Sequence, residues 1–306
     1  MIADAHRFSP ASSRGAKPRL RASIATASLA ALVLLLACSA SYAQDDSDFQ
    51  RWNLALGIGY GKPSGHVQVR ENQIEGTRLD FGSGLGVDHM SNIDLRVGFA
   101  FDADRSVQLV LQNFDLTGST PLSQEVNFNG ATFAAGTRLK TVTRFPAFLR
   151  ATLFYQQTLV HFGNGGTFSG RGGFTFDALN FKLNGTLTAD SVGRETKEDF
   201  VTQELPIPML GVKLDEPIND RLHFIATLDA AWLPRVNSLR TEGGEVKLAQ
   251  SNLDTTLGLD YALTRSLHLT GGYYFSYLKQ DEQSSEDGNR ILLKDNAAEI
   301  GLAYTF

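Results

Sequence analysis

The chain has 306 residues, 42% hydrophobic and 20% charged, with 28 Lys and Arg against 33 Asp and Glu and a formal charge of −5. This composition excludes a disordered tail or a collagen-like fibre, and scattered cations on an acidic chain lack the basic face a nucleic-acid binder needs. The single cysteine, Cys38, excludes a disulfide framework, a Cys-ligated zinc or iron–sulfur site and, if removed with a leader, a cysteine nucleophile.

In chain order, the first predicted element is an export signal over 1–43. Arg14, Lys17, Arg19 and Arg21 precede the apolar run Ala22 to Ala37, and Ser41-Tyr42-Ala43 before Gln44 suits a leader peptidase. The run is shorter than the ~20 residues that span a bilayer, which argues against an anchor. Leu35-Leu36-Ala37-Cys38 also has the look of a lipobox, so Cys38 is an alternative cleavage site.

From 44 to 306 the pattern is alternation. Trp52, Leu54, Leu56, Ile58 and Tyr60 share one parity; so do Ile93, Leu95, Val97, Phe99 and Phe101. The same holds for Leu222, Phe224, Ala226, Leu228, Ala230 and Trp232, and for Leu253, Leu257, Leu259 and Tyr261. Period two marks strands with one apolar and one polar face. Strands of about ten residues are what a tilted membrane crossing needs, whereas soluble sandwich strands run about 5–6. Short and long connections alternate, as periplasmic turns and extracellular loops do in an up-and-down barrel. The predicted fold is therefore all-β, an antiparallel up-and-down transmembrane β-barrel of about ten strands, with eight or twelve as alternatives. These lie near 50–61, 91–101, 105–117, 137–160, 168–187, 201–214, 221–233, 246–263, 266–279 and 291–306. Two strands break parity, the third at Leu111 against Phe114 and Leu116, and the fifth at Phe174 and Phe176 against Leu179, Phe181 and Leu183. A bulge is expected in each. The 62–90 link could form an extra hairpin from Val67, Val69, Leu79 and Phe81, but its glycines favour a looped or inward-folded segment.

The final residues place Ile300, Leu302, Tyr304 and Phe306 on one face, ending in an aromatic. This resembles the carboxyl-terminal signal of Gram-negative outer-membrane β-barrels, by which the barrel assembly machinery recognises its clients. The resemblance implies the outer membrane as compartment, with its lipids and lipopolysaccharide as surroundings. Gly76-Thr77-Arg78-Leu79-Asp80-Phe81, Phe114-Asp115-Leu116-Thr117-Gly118-Ser119 and Ala135-Gly136-Thr137 are similar to a subgroup of uncharacterised barrels with Thr-Arg-Ile-Asp-Leu, Phe-Asp-x-x-Gly-Ser and Ala-Gly-Thr segments. That likeness implies fold and compartment, but no activity.

Catalytic signals are few. His89-Met90-Ser91-Asn92 resembles the His-x-Ser-Asn segment of outer-membrane lipid A deacylases, in which Ser is the nucleophile and His its base. The expected acid about twelve residues on is missing; Asp102 and Asp104 are the nearest candidates. His66, His161, His223 and His268 have no partner at metal spacing, so no metal site, cofactor or catalytic residue is assigned. Asp281, Glu282, Glu286 and Asp287 read as a solvated acidic loop tip, and Trp52, Tyr60, Trp232, Tyr273, Phe275 and Tyr277 as interfacial girdle.

The inward parity carries Arg96, Arg144 and Arg150 against Asp94, Asp229, Asp254, Asp260 and Glu299. Charges facing a narrow lumen must be paired or wet, and a ten-stranded barrel is little wider than the eight-stranded kind that side chains fill. The expectation is a salt-bridged, largely filled lumen in a non-enzymatic barrel with a structural or surface-binding role. A narrow passive channel is the alternative, and a deacylase-like enzyme a third reading.

Overall fold

The structure, a computed structural model, describes residues 50–70, 74–142, 148–185, 197–202, 205–238, 245–284 and 288–306. The expected export signal over 1–43 with Cys38, and Arg144, lie outside the described residues. Ten long strands make the wall. They are β1 (Trp52–Arg70), β2 (Met90–Ala100), β3 (Arg105–Leu116), β4 (Phe148–His161), β5 (Thr167–Asn184), β6 (Ile207–Asn219), β7 (Leu222–Asn237), β8 (Lys247–Ala262), β9 (Leu267–Gln283) and β10 (Gly288–Thr305).

Each strand pairs antiparallel with its chain neighbours, and β10 pairs with β1 from Asn53↔Thr305 to Arg70↔Gly288. The sheet is thus a closed ten-stranded barrel with no open edge. One end carries the tight turns. In the turn after β2, for example, the Asp102 carboxylate accepts the backbone N–H groups of Asp104 and Arg105. Trp52 and Phe306 exchange backbone hydrogen bonds at the same end, closing the β1–β10 seam at 2.8 and 2.9 Å.

Along the strands the wall passes through two environments. Near the short-turn end large apolar residues face outward and stay exposed: Ile58, Leu109, Leu153, Phe174, Leu210, Leu228, Leu257 and Ile300. Past Tyr60, Trp232 and Tyr277 the outward positions turn polar, as at Lys62, Ser64, Gln68, Lys279 and Arg290. At that level the inward positions become apolar and buried: Val67, Val69, Phe114, Leu116, Leu179, Leu183, Leu278, Ile291 and Leu293.

The two parity breaks follow from this reversal, which corrects the expectation of bulges there. β3 runs in unbroken register with β2 from Ser106 to Leu116 and with β4 from Arg105 to Phe114. Phe114 and Leu116 simply face inward where the core is apolar. In β5, Phe174 and Phe176 face out, and Leu179 and Leu183 face the interior. The register does shift in β5, but at Phe168/Ser169 against β4 and at Leu179/Asn180 against the strand Lys197–Thr202.

The 62–90 link divides. Its first part extends β1 to Arg70, and its second folds inward and fills the long-loop end. Leu79–Asp80 pairs with Val67 and His66, then the chain curls so that Gly84 and Leu85 donate to the Asp80 carbonyl, and Val87 to that of Phe81. Leu79, Phe81, Leu85 and Val87 are all buried. Beside them stands the hairpin Val126–Phe128 and Ala131–Phe133, turned at Asn129 and Gly130 with φ of 48° and 65°. Both positions need the left-handed region, which Asn and Gly reach most readily. Thr77 clasps the hairpin, donating its N–H to the Asn127 carbonyl at 2.8 Å and accepting from the Asn127 N–H at 3.0 Å. Link and hairpin thus join one apolar cluster with the upper wall.

Candidate functional site in the barrel lumen

At the height of the outer apolar belt the interior is polar, and three cationic groups organise it. Arg150, on β4, is 1% exposed. Its Nε donates to Asp177 Oδ1 on β5 at 2.6 Å, and its Nη1 reaches Asp254 on β8 at 2.9 and 3.0 Å and Ser276 Oγ on β9 at 3.3 Å. Since β4 and β8 are four strands apart, this guanidinium bridges the lumen. Asp177 accepts further from Gln250 and Asn252, each at 2.6 Å, and Asp254 from the Tyr274 hydroxyl at 2.9 Å. The Phe114 and Phe148 rings lie 5.9 and 5.8 Å from the guanidinium carbon, so apolar packing from above meets the charged layer here.

The other two clusters each reach across a strand whose inward residue is glycine. Arg96 pairs with Asp94 on its own strand and with Glu299 on β10 at 3.6 Å; Asn92 donates to Glu299 at 3.0 Å. Between β2 and β10 runs β1, where Gly57 and Gly59 occupy the register positions, and a Cβ at either would collide with Asp94 or Asn92. Likewise Arg171 on β5 meets Asp229 on β7 at 3.2 Å across Gly211 of β6, where a Cβ would strike the Asp229 carboxylate. Arg171 also stacks 4.1 Å over Phe154. Glycine therefore clears the path for these cross-strand ion pairs.

Against this layer lies a cavity of about 390 Å³, lined by Arg96, Arg171, Asp229, Asp254 and Glu299 and reaching Trp52 and Thr305 at the short-turn end. Nearer that rim, His223 Nδ1 pairs with Asp215 at 2.8 Å, His268 Nδ1 with Asp260 at 2.7 Å, and His161 Nε2 with Asp104 at 2.7 Å. Lys213 also reaches Asp215, at 3.1 Å. These three histidines, without a partner at metal spacing in the sequence, each find a single carboxylate across a hairpin turn or beside a neighbouring strand.

Of the lumen charges expected from sequence, Asp94, Arg96, Arg150, Asp229, Asp254 and Glu299 meet in the charged layer. Asp260 sits at the rim with His268, away from any arginine named for it, and Arg144 lies outside the described residues. Sequence reading missed Asp177, Arg171 and the amides Asn92, Gln250 and Asn252. Their signal was inward parity on their strands, obscured in β5 by the supposed bulge. Ile300, Leu302 and Tyr304 lie on the outer face of β10, opposite Ile58, Leu56 and Leu54, and Phe306 packs its ring 5.8 Å from that of Tyr304.

The His89–Asn92 segment does not assemble the expected triad. His89 stacks on Tyr60 at 5.3 Å, while Asp102 and Asp104 lie at the other end of β2, engaged with Arg105 and His161. The carboxylate opposite Ser91 in register is Asp115. Of the acidic loop tip, Asp281 lies within β9, where Arg235 and Arg290 reach it at 3.3 and 3.6 Å; Glu286 falls outside the described residues, as does Asp287. Among the described residues, no group of His, Cys, Asp and Glu is arranged to hold a metal ion.

A closed antiparallel barrel with an even strand number, an outward apolar belt, aromatics at its edges, a polar interior and tight turns at one end is a β-barrel of the Gram-negative outer-membrane type. No protein-family model matches the chain, and no curated protein matches it in sequence. Among solved structures it is similar to the outer-membrane protease OmpT of Escherichia coli, at 12% identity and a TM-score of 0.49, over 83% of this chain and 97% of that one. It is also similar to the translocator domain of the autotransporter NalP of Neisseria meningitidis, at 15% identity and a TM-score of 0.41, over 94% and 100%. A third is the outer-membrane protein OprG of Pseudomonas aeruginosa, at 12% identity and a TM-score of 0.36, over 84% and 96%.

Proposed function

We propose that this protein is a non-conducting outer-membrane barrel with a structural or surface-binding role, neither a passive channel nor an enzyme. The observation that carries the reading is the double closure of the lumen. Arg150 bridges opposite walls through Asp177 and Asp254, and above it Leu79, Phe81, Leu85 and Val87 pack against the upper wall. An ion entering from the short-turn end, periplasmic in barrels of this kind, meets a cavity that ends at a charged layer in which Arg96, Arg150 and Arg171 each hold at least one carboxylate. Beyond that layer stands a mainly apolar core, in which Gln280, Asn289 and Thr141 are scattered buried polar side chains that form no continuous path to replace its hydration.

The surface-binding half of the reading draws on the long-loop end, where the inward-folded link and the Val126–Phe133 hairpin are anchored in the apolar cluster of the upper wall. Catalysis is disfavoured by the distance of Asp102 and Asp104 from His89. Planar-bilayer recording tests closure directly: the expected trace is silent, and frequent discrete openings from the purified, folded barrel would replace this reading with the channel. Incubation with lipid A tests the enzymatic one. Release of acyl chains that is lost in both Ser91→Ala and His89→Ala would establish the deacylase.

A further inference from the structure

The outer surface carries a cationic cluster that neither the lumen nor the apolar belt uses. Lys62 on β1, Lys294 on β10 and Lys279 on β9 occupy three adjacent strands, and all three are outward. In the register, Lys294 stands opposite Ser64, two residues beyond Lys62, and Lys279 stands opposite Leu292, two residues beyond Lys294. The edge of the belt climbs at the same pitch. Lys62 is the next outward residue after Tyr60, and Lys279 the next after Tyr277, which itself lies opposite Lys294. The three ammonium groups therefore follow the long-loop edge of the belt, one outward position above its aromatic girdle.

None of the three is engaged in an ion pair with a described residue; Lys294 Nζ lies 6.0 Å from the Tyr277 ring. The acid nearest in sequence, Asp281, is taken up by Arg235 and Arg290. The cluster is also local, since the outward positions that continue the same climb on the flanking strands, Ser91 on β2 and Ala249 on β8, are uncharged. Unpaired lysines directly above an aromatic girdle stand at the depth of the headgroups of the outer leaflet. There an anion is attracted by every cation within a Debye length.

We infer that Lys62, Lys279 and Lys294 form a docking site for the phosphate groups of a lipopolysaccharide molecule, whose acyl chains lie on the belt below. The two phosphates of such a lipid match three ammonium groups in charge, and Tyr60, Tyr273 and Tyr277 offer the amphipathic ring edges that interfacial lipids pack against. The inference concerns the outer wall, so it stands or falls separately from the closure of the lumen.

The test is lipid binding to the purified, folded barrel in neutral detergent, read by native mass spectrometry and by tryptophan fluorescence. The probes are lipopolysaccharide and the same material after enzymatic dephosphorylation. Wild type should bind the phosphorylated form more tightly. The Lys62→Gln/Lys279→Gln/Lys294→Gln variant should bind it at least about tenfold more weakly, as expected when three basic residues near an anionic surface are removed. Replacement of the same three by Arg should retain binding, and the control Lys140→Gln/Lys247→Gln should be unchanged. Equal affinity of wild type and the triple variant overturns the inference, and so does an equal loss in the control or indifference to the phosphates. Should the triple variant fail to give the heat-modifiable folded band, Lys62→Gln and Lys279→Gln are measured singly. Each is then expected to weaken binding several-fold, and no change in either overturns the site.

Discussion

The two levels of the wall use one strand register for opposite purposes. In the belt, Leu210 is 74% and Trp232 66% exposed on the outside, while the inside holds Asp177 and Arg150 almost without solvent contact. A few residues further along the same strands, Lys62, Lys279 and Arg290 face out and Val67, Leu278 and Ile291 face in. The backbone pairing continues across the boundary, from Asn53 to Arg70 along the β1–β10 seam for instance. What changes is the solvent. Inside the membrane the surroundings are oil, so apolar side chains face outward without cost and the interior takes the polar groups. Above it the surroundings are water, and the hydrophobic effect drives apolar groups to the interior as in any soluble protein. The upper barrel is thus built like a globular core, and the lower one like its inverse.

The largest effect is expected where the lower interior is driest. Arg150→Ala leaves Asp177 buried and Asp254 half-buried without their cation, and should cost about 3–5 kcal/mol in denaturant unfolding from lipid vesicles. Leu210→Ala at a similar height on the lipid side should cost far less, since its side chain has little protein around it. A loss below about 1 kcal/mol for Arg150→Ala, together with new ion conductance, would show that the layer is wet and that the lumen is a pore.

The upper interior gives the next effect. Phe81 is 0% exposed, and Phe81→Ala should remove about 3–5 kcal/mol from the packing of the inward link. The loss is confined to the closure and leaves the wall standing, so its readout is local. Proteolysis within 74–87 should accelerate while the folded band on gels persists. Cleavage no faster than in wild type would mean that the wall alone holds the link in place.

How much of this was legible in the sequence divides along the same boundary. Strand number and the outward belt were legible because they rest on period-two alternation, a property of each strand alone. The inward charges of the layer were legible for the same reason at Asp94, Arg96, Arg150, Asp229, Asp254 and Glu299. The reversal was not, since parity says which residues share a face and not which medium that face meets. Phe114 and Leu116 looked displaced for that reason, and strands were cut short at the belt edge: β1 near residue 61 rather than Arg70, β9 near 279 rather than Gln283. Partner choice was equally hidden. Asp260 takes His268, and Arg171 takes Asp229 across Gly211, through registers that emerge only once the barrel closes.

A smaller effect is expected at the last strand. Phe306 lies at the lipid-facing edge, with its backbone already paired to Trp52. Phe306→Ala should slow assembly into lipid, read as a lower yield of folded band over time, and barely move the unfolding midpoint of barrels that have formed. A shift of the midpoint as large as that of Phe81→Ala would place Phe306 with the structural residues instead.

The smallest effect is expected at the turn between β2 and β3, outside both levels. There Asp102 accepts from Arg105 Nε at 2.6 Å and from the backbone N–H groups of Asp104 at 3.0 Å and Arg105 at 2.8 Å. The side-chain bond from Arg105 outweighs the slight desolvation and, with the two backbone donors, holds this carboxyl below the usual carboxylate range. A depressed folded-state value means the stabilisation is fully present above the unfolded value of about 3.9 and fades as pH falls through the lower, folded one. The site is open to solvent, so little of this reaches global stability. Its mark is therefore local: in spectra of the folded barrel the Asp102 carboxyl should titrate below an ordinary aspartate, and Arg105→Gln should move it back up. Asp102→Asn, which keeps an acceptor for the two backbone donors, should leave the unfolding midpoint at neutral pH close to wild type. Titration of Asp102 at or above the ordinary value would show that Arg105 is held by water rather than by the turn.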